Sequence, residues 1–318
     1  MIQAFIYSIK KNKYKYFFAK LLLLLLIVYA ADYTCGGILR YFYFRQSSGW
    51  NYRTTYSMEK TTADLLIIGS SRASQQYHPE VLEPRLQLSY YNCGRDGNFM
   101  LYSYAVLKTI LKRHTPKMII LDFIKGQFKE NHNEYDRLSI LLPYYKNHPE
   151  IRPIIELRSR LEKYKLLSNT YPYNSTLFNT IIGNTAFNKG RQKDIKGYVV
   201  FEDVWNQPLK NDNNIHGEYK LDSNFLSSYE SFIKDCVSAK VKLYIVCSPY
   251  YTRPTSEDYS VSIGKRIAKK YGVGFLDYSM DTSLIHHPAL FSDTMHVNND
   301  GAKIFSAMVA DDILARQK

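Results

Sequence analysis

Five short apolar runs, spread along a chain of 318 residues, most limit how this sequence can fold. Each run is five or six residues long and carries few charges, as expected of strands that are buried on both faces of a parallel sheet. Segments with helical periodicity separate the runs, which favours right-handed strand–helix–strand crossovers. We therefore predict an α/β domain on a five-stranded parallel sheet, with strands at 64–68, 88–92, 118–123, 243–248 and 273–277.

A long insertion separates the third and fourth predicted strands. About 120 residues lie between them, far more than an ordinary crossover contains. Residues 136–166 have a helical pattern that is broken by three prolines, and residues 167–222 are rich in Tyr, Asn and Gly. We predict an insertion at about 126–222 that packs on the edge of the sheet or over its top, where it shapes a cleft.

An apolar stretch near the N-terminus, LLLLLLIVYAA at 21–31, follows a lysine-rich start. It has two interpretations. A signal peptide would be cleaved near Ala30, after a small-residue pattern. A retained transmembrane helix would continue to Leu39 past the charge of Asp32 and end at the aromatic residues of 41–44. We favour the retained anchor.

Lysine dominates the first twenty residues, which hold five lysines and no acidic residue. The positive-inside rule therefore places the N-terminus in the cytoplasm. The sequence predicts a basic stub and membrane anchor at 1–45 and an extracytoplasmic domain at 46–318. If the stretch is cleaved instead, the same domain is secreted or periplasmic.

Charge and cysteine spacing exclude several classes of protein. The net charge is +13, which leaves +8 beyond the five N-terminal lysines, a balance that suits acidic glycans or a membrane surface. No compact basic run beyond the N-terminus and no nucleic-acid-binding motif occurs, so we expect no nucleic acid partner. The four cysteines lack CxxC spacing, which argues against a thiolate zinc site and a disulfide framework. We expect neither a metal nor an organic cofactor.

Four polar blocks fall where predicted strands end, at the edge where open parallel sheets collect functional groups. The first strand runs into GSSR at 69–72, NCGRDGN follows the second, IKGQF follows the third, and FSDTMH comes after the fifth. A serine becomes nucleophilic when a base removes its proton and a third group orients that base. The spacing of Asp293 and His296 lets them meet within one loop or one helical turn. The blocks thus supply a candidate nucleophile, base and orienting acid.

The first and last blocks resemble those of the SGNH/GDSL hydrolase superfamily, which read G-D-S and D-x-x-H. The resemblance covers about 63–125 and 240–318, and it implies a three-layer, flavodoxin-like fold. It also implies that Ser71 is the nucleophile, that His296 is the base and that Asp293 orients the base.

The resemblance also implies an oxyanion hole. The family's second block supplies a glycine N–H, for which Gly94 is the best match, beside the N–H of Ser71. The third block, G-x-N-D, is absent after the third strand. The side-chain amide of Gln127 is the candidate replacement, and the usual aspartate of the first block is replaced by Ser70.

Further residues near these blocks are candidates for substrate binding. Arg72 and Arg95 could hold an anionic substrate group through paired hydrogen bonds, or could serve structural pairing, for Arg95 with Asp96. Tyr250 and Tyr251 follow the fourth strand and could stack on sugar rings, or could belong to the core.

A metal cluster is the alternative use of the histidines near the C-terminal block. His286 and His287 would join Asp293 and His296 in it. Adjacent side chains in a strand or loop point apart, so we expect no metal there.

Together these features predict a membrane-anchored, extracytoplasmic serine esterase. Its expected substrates are O-acyl esters, above all acetyl esters, of cell-surface polysaccharide. One alternative is an O-acyltransferase that uses the same triad with a membrane protein as acyl donor. The other is a non-catalytic module that binds glycans or assists assembly. The choice of substrate rests on location and on the resemblance.

Overall fold

A computed structural model describes residues 13–185, 194–211, 217–253 and 256–317 of the chain. Its central feature is a five-stranded parallel sheet with the order β2-β1-β3-β4-β5. The sheet confirms the predicted α/β class with five parallel strands, because each predicted strand overlaps an observed one. The strands are β1 (Leu65–Ile68), β2 (Tyr90–Asn92), β3 (Met118–Asp122), β4 (Lys242–Cys247) and β5 (Gly274–Asp277).

The order of the strands creates a crevice at one edge of the sheet. The chain passes from β1 to β2 on one side and then returns to form β3 on the other side of β1. Leu65 pairs with both Tyr90 and Met118, so the carboxyl ends of the three strands lie at the same edge. Such a reversal opens a crevice outside the strand ends, here between β1 and β3.

Twelve α-helices occur in the described residues. Six of them cover the sheet: α3, α4 and α12 on one face and α5, α10 and α11 on the other. The helices are α1 (Lys13–Arg45), α2 (Gly49–Glu59), α3 (Ser71–Gln76), α4 (Pro79–Leu86), α5 (Met100–Leu111), α6 (His132–Arg137), α7 (Arg152–Glu156), α8 (Glu162–Lys165), α9 (Leu177–Gly183), α10 (Ser223–Ser238), α11 (Tyr259–Lys270) and α12 (Asn299–Ala315).

Side chains of β1 alternate between two cores. Leu65 and Ile67 pack beneath α4 and α12, whereas Leu66 and Ile68 pack beneath α5 and α10. All four are fully buried, as a continuous apolar strand between two helical layers requires.

The insertion between β3 and β4 consists of short elements, as its prolines predict. Besides α6 to α9, the described part of the insertion contains three 3₁₀ helices and several two-residue strands. The 3₁₀ helices are Leu138–Tyr144, Pro149–Ile151 and Tyr171–Thr176. Among the short strands, Asp194–Ile195 and Tyr198–Val199 form an antiparallel pair. Lys210–Asn211 pairs in parallel with Thr252–Arg253, which lies beyond β4.

The segment 46–62 is polar and aromatic without a clear period, a pattern that predicts an irregular connector, but it contains α2. The prediction was wrong because the buried face of α2 is mostly polar and shows no apolar period. Five of its six buried residues are Asn51, Arg53, Thr54, Thr55 and Ser57. Hydrogen bonds from hydroxyls to carbonyls four residues back satisfy part of this face.

The first helix, α1, has two different halves. Its first half exposes every side chain from Leu21 to Tyr29. Among the described residues, α1 is the one helix that is long and apolar enough to cross a membrane. A signal sequence would meet the same criterion. Residues 1–12 of the predicted basic stub lie outside the described residues.

The second half of α1 packs against the insertion. The carboxylate of Asp32 accepts hydrogen bonds from the Asn169 and Thr170 N–H groups at 2.6 and 3.1 Å. Gly36 allows this close approach, because a Cβ there would lie 2.3 Å from the Cβ of Asn169. Tyr43 is 1% exposed and belongs to the main core. The predicted boundary at 45/46 therefore cuts through the packed domain, since the folded part already includes the end of α1.

Replacing Tyr43 by alanine is expected to lower the free energy of unfolding by about 3–5 kcal/mol, as for other buried aromatic residues. Its ring packs on those of Tyr144 and Tyr173, and its hydroxyl lies 3.2 Å from that of Tyr144. Tyr41→Ala is the matched control, because Tyr41 is 58% exposed. Denaturant unfolding of the detergent-solubilised chain measures both variants. Equal stability of the two would contradict the assignment of α1 to the domain.

Candidate active site

A tight turn joins β1 to α3 and presents Ser71 at the edge of the sheet. Gly69 has a φ of +152°, and a Cβ there would lie 2.9 Å from Ala73 Cβ and 3.0 Å from Asp122 Cβ. Only glycine fits this position without displacing one of these neighbours. Ser70 is the N-cap residue, with no hydrogen bond from its side chain to the helix, and Ser71 is the first residue of α3.

Three side chains from opposite ends of the chain form a continuous hydrogen-bonded row. Ser71 Oγ lies 2.8 Å from His296 Nε2, although 225 residues separate them. On the other side of the ring, His296 Nδ1 lies 2.8 Å from Asp293 Oδ2 and 3.0 Å from Oδ1. This is the order of contacts in which an acid orients a base and the base accepts the proton of a hydroxyl.

The Asp293 carboxylate is held by its own loop. Oδ1 accepts hydrogen bonds from the N–H groups of Met295 at 2.6 Å and His296 at 2.8 Å. Partial burial opposes ionisation, but the contacts with the His296 ring and with these N–H groups lower the pKa of Asp293 below its ordinary value. An ionised Asp293 fixes a proton on His296 Nδ1 and leaves Nε2 free to accept one from Ser71.

The loop reaches the serine because neighbouring residues hold its ends. An antiparallel bridge joins Phe291 to Val297, and Asn298, the N-cap of α12, accepts a hydrogen bond from Gly301 N–H at 3.1 Å. Asn298 therefore caps α12, and the carboxylate of Asp293 contacts the His296 ring instead of the helix. Phe201 of the insertion stacks on the His296 ring at 6.0 Å; the sequence offered no signal for this contact.

Of the three expected oxyanion donors, Ser71 N–H lies at the turn itself, and no acceptor for it is found among the described residues. Ser71 N–H is the first of α3 and has no acceptor within the helix. Gly94 lies against α3, where a Cβ would come within 2.5 Å of Ser74 N, but its N–H donates to Asn92 Oδ1 at 2.9 Å. Gln127 lies in the turn after β3, is 5% exposed, and finds no partner for Nε2 among the described residues.

Arg72 is buried and holds neighbouring segments together, and its side chain does not point into a cleft. It is 1% exposed. Its guanidinium donates to the carbonyls of Met295 at 2.5 Å, Ser248 at 2.6 Å and Pro249 at 3.0 Å, and it lies 3.7 Å from the centre of the Tyr250 ring. The expected contact with an anionic substrate is therefore not available to Arg72. It joins the turn of Ser71 to the end of β4 and to the Asp293 loop.

A buried acid, Asp122, lies beneath the turn and is not among the residues that the sequence predicted for the site. It ends β3, is 3% exposed, and accepts hydrogen bonds from the hydroxyls of Tyr77 at 2.7 Å and Ser248 at 3.0 Å. Burial raises its pKa, against the opposing effect of the Arg72 guanidinium. The only sequence signal was an aspartate at the carboxyl end of an apolar run.

The remaining candidates do not join the row. Tyr250 and Tyr251 are 6% and 4% exposed, so they serve the core rather than an open sugar-binding surface. His286 and His287 are exposed, and no group of three or more His, Cys, Asp or Glu in the described part of the chain could hold a metal ion. Arg95 lies over the Trp50 ring.

Comparison of the chain with models of known protein families gives no match, and comparison with curated proteins gives none either.

Proposed function

We propose that this chain is a membrane-anchored, extracytoplasmic serine esterase with an SGNH-type fold, which cleaves O-acyl esters of surface polysaccharide. The observation that carries the proposal is the hydrogen-bonded row of Ser71, His296 and Asp293, with 2.8 Å at each junction. The parallel sheet and the position of the serine at the carboxyl end of β1 support it further. The polysaccharide and its acyl group rest on the resemblance and on the N-terminal helix.

In this mechanism His296 Nε2 takes the proton of Ser71 as Oγ attacks the ester carbonyl carbon. The carbonyl oxygen becomes an oxyanion, which Ser71 N–H stabilises. His296 then returns the proton to the leaving alcohol oxygen, and water releases the acyl group by the same steps in reverse order. Asp293 keeps the imidazole oriented and stabilises its positive charge. Gly94 N–H joins the oxyanion hole only when the substrate oxygen replaces Asn92 Oδ1.

The packing of the N-terminal helix supports its retention as an anchor. The helix runs unbroken through Ala30, its leucines are exposed to the surroundings, and Asp32 is held where the domain begins. A lipid bilayer would cover the exposed half. The basic N-terminus then lies in the cytoplasm and the sheet outside it.

A phosphonate that reacts covalently with activated serines tests this function. We expect the full-length chain in detergent to be labelled on the peptide that contains Ser71, and we expect His296→Ala to abolish the labelling. Ser70→Ala is the matched control, since Ser70 lies next to Ser71 but makes no side-chain bond to the helix. Absence of labelling in the wild-type chain would contradict an activated serine. A mature N-terminus at Ala31 in the same mass spectra would contradict the anchor.

A non-catalytic glycan-binding module is the second candidate. The observation in its favour is the occupied N–H of Gly94, because loss of one oxyanion donor raises the barrier by about 2.7–4 kcal/mol. Specific binding of surface polysaccharide by a chain that resists the phosphonate would favour this candidate.

A further inference from the structure

Two buried arginines lie on one half-buried tryptophan beside the Ser71 turn. The guanidinium carbons of Arg53 and Arg95 lie 4.4 and 4.9 Å from the centre of the Trp50 ring, which limits their separation to at most 9.3 Å. Trp50 and Arg53 occupy one face of α2, whereas Arg95 comes from the loop after β2. No pattern in the chain predicts that they meet, since α2 itself was not predicted.

Neither guanidinium has a counter-ion among the described residues. Arg53 makes one long hydrogen bond, 3.4 Å to the Gly197 carbonyl, and no side-chain hydrogen bond of Arg95 is found within the described ranges. Arg53 Nη2 and Arg95 Nη1 are both fully buried without a partner. The residues are 4% and 8% exposed, which makes two unpaired positive charges unusual.

The acids that attract Arg53 through space form no ion pair with it. Asp96, adjacent to Arg95 in the chain, accepts hydrogen bonds from Ser74 at 2.6 Å and Gln75 at 3.3 Å, both on α3. Asp194 and Asp96 attract Arg53 through space, but no carboxylate of the described residues forms an ion pair with either arginine. The positive charge is therefore left for a group outside the described residues.

We propose that Arg53 and Arg95, which both contact the Trp50 ring, form a binding site for a phosphate-type oxyanion. Two planar guanidinium forks can donate in pairs to several oxygens of one phosphate. Binding would satisfy the buried N–H groups and neutralise the two charges. A single carboxylate would leave one guanidinium without its charge partner.

The backbone of Arg95 ties this site to the Ser71 turn. Arg95 N–H donates to the Gly69 carbonyl at 3.0 Å, two residues before Ser71. A phosphate bound here would hold one end of a substrate while its ester approaches Ser71, a role that rests on the proposed esterase function. Because α2 begins four residues after α1 ends, the phosphate could belong to a lipid headgroup or to a soluble phosphorylated molecule.

Fluorescence of Trp50 reports on the site directly. The chain has two tryptophans, so Trp205→Phe leaves Trp50 as the sole emitter. We expect inorganic phosphate, titrated into this full-length variant in a non-phosphate detergent at constant ionic strength, to change the emission in a saturable way. Arg53→Gln and Arg95→Gln are each expected to raise the apparent Kd at least tenfold. Arg266→Gln, which removes an exposed arginine on α11, should leave it unchanged.

Three results would overturn the proposal: no saturable change, an Arg53 or Arg95 variant that binds like the Arg266 control, or acetate that binds as tightly as phosphate. Arg53→Lys and Arg95→Lys guard against misfolding, since each keeps the charge but loses the paired donors, and each should bind more weakly than the control. Ser71→Ala should bind phosphate with an unchanged Kd. The phosphate titration therefore tests this site even if the proposed esterase function fails, and the two failures are distinguishable.

Two further ligands separate the sources of the phosphate. Glycerol 3-phosphate and dihexanoyl phosphatidate share the glycerol phosphate group, but only the phosphatidate carries acyl chains. A much lower Kd for the phosphatidate indicates a membrane lipid, whereas equal values indicate a soluble ligand. Either result supports the site, and failure of both to compete with phosphate overturns it.

Discussion

Ser71→Ala is expected to lower kcat for the hydrolysis of p-nitrophenyl acetate by about 10⁶-fold, the loss typical when a triad serine is removed. The hydroxyl lies 2.8 Å from His296 Nε2, so its removal leaves the base without a nucleophile to activate. The double variant with His296→Ala should be no slower, because residues that act as a unit do not add. Steady-state kinetics of the full-length chain in detergent measure both.

Asp293→Asn refines this prediction. The amide keeps the size of the side chain but does not stabilise the imidazolium, and it favours the wrong tautomer, which lowers kcat by about 10⁴-fold in comparable triads. Ser70→Ala should remain within a few-fold of the wild type. If Ser71→Ala retained the wild-type rate, the row of hydrogen bonds would be structural.

Arg72→Met is expected to lower the free energy of unfolding by about 3–5 kcal/mol, as when one member of a buried charged network is removed. The substitution leaves the carbonyls of Met295, Ser248 and Pro249 without their donor. It also removes the positive charge that favours ionisation of Asp122. Denaturant unfolding in detergent measures the change.

The control for this variant is Arg266→Met, since Arg266 is exposed on α11. Its stability should stay within about 0.5 kcal/mol of the wild type. If Arg72→Met were as stable as this control and showed only a raised KM, Arg72 would act on the substrate after all.

The sheet and the hydrogen-bonded row of Ser71, His296 and Asp293 were predictable from local patterns. Apolar runs bounded by glycine and polar blocks located all five strands, because burial on both faces leaves little choice of residue. The D-x-x-H spacing brought Asp293 to His296 because their contact is local. The meeting of His296 with Ser71 followed once both blocks were placed at the carboxyl edge of one parallel sheet.

What the sequence missed or left open has a common physical origin. The helix α2 was missed because its inward face is polar. The sequence left Arg72, Tyr250 and Tyr251 open between substrate binding and structural roles, because side-chain burial depends on tertiary neighbours. Arg72 and Arg95 occupy similar positions after adjacent strands. The guanidinium of Arg72 donates to three carbonyls, whereas that of Arg95 has no hydrogen-bond partner among the described residues. No sequence pattern predicts this difference.

The sequence by itself determined the elements whose signal is local: the buried strands, the apolar N-terminal helix, the serine turn and the aspartate–histidine loop. Only the tertiary structure decided how far the N-terminal helix belongs to the domain, through Asp32 and Tyr43. It also decided which charges remain unpaired, since Arg53 and Arg95 meet on Trp50 from distant segments. Periodicity reports whether a residue is buried, but its partners are set by the packing of elements far apart in the chain.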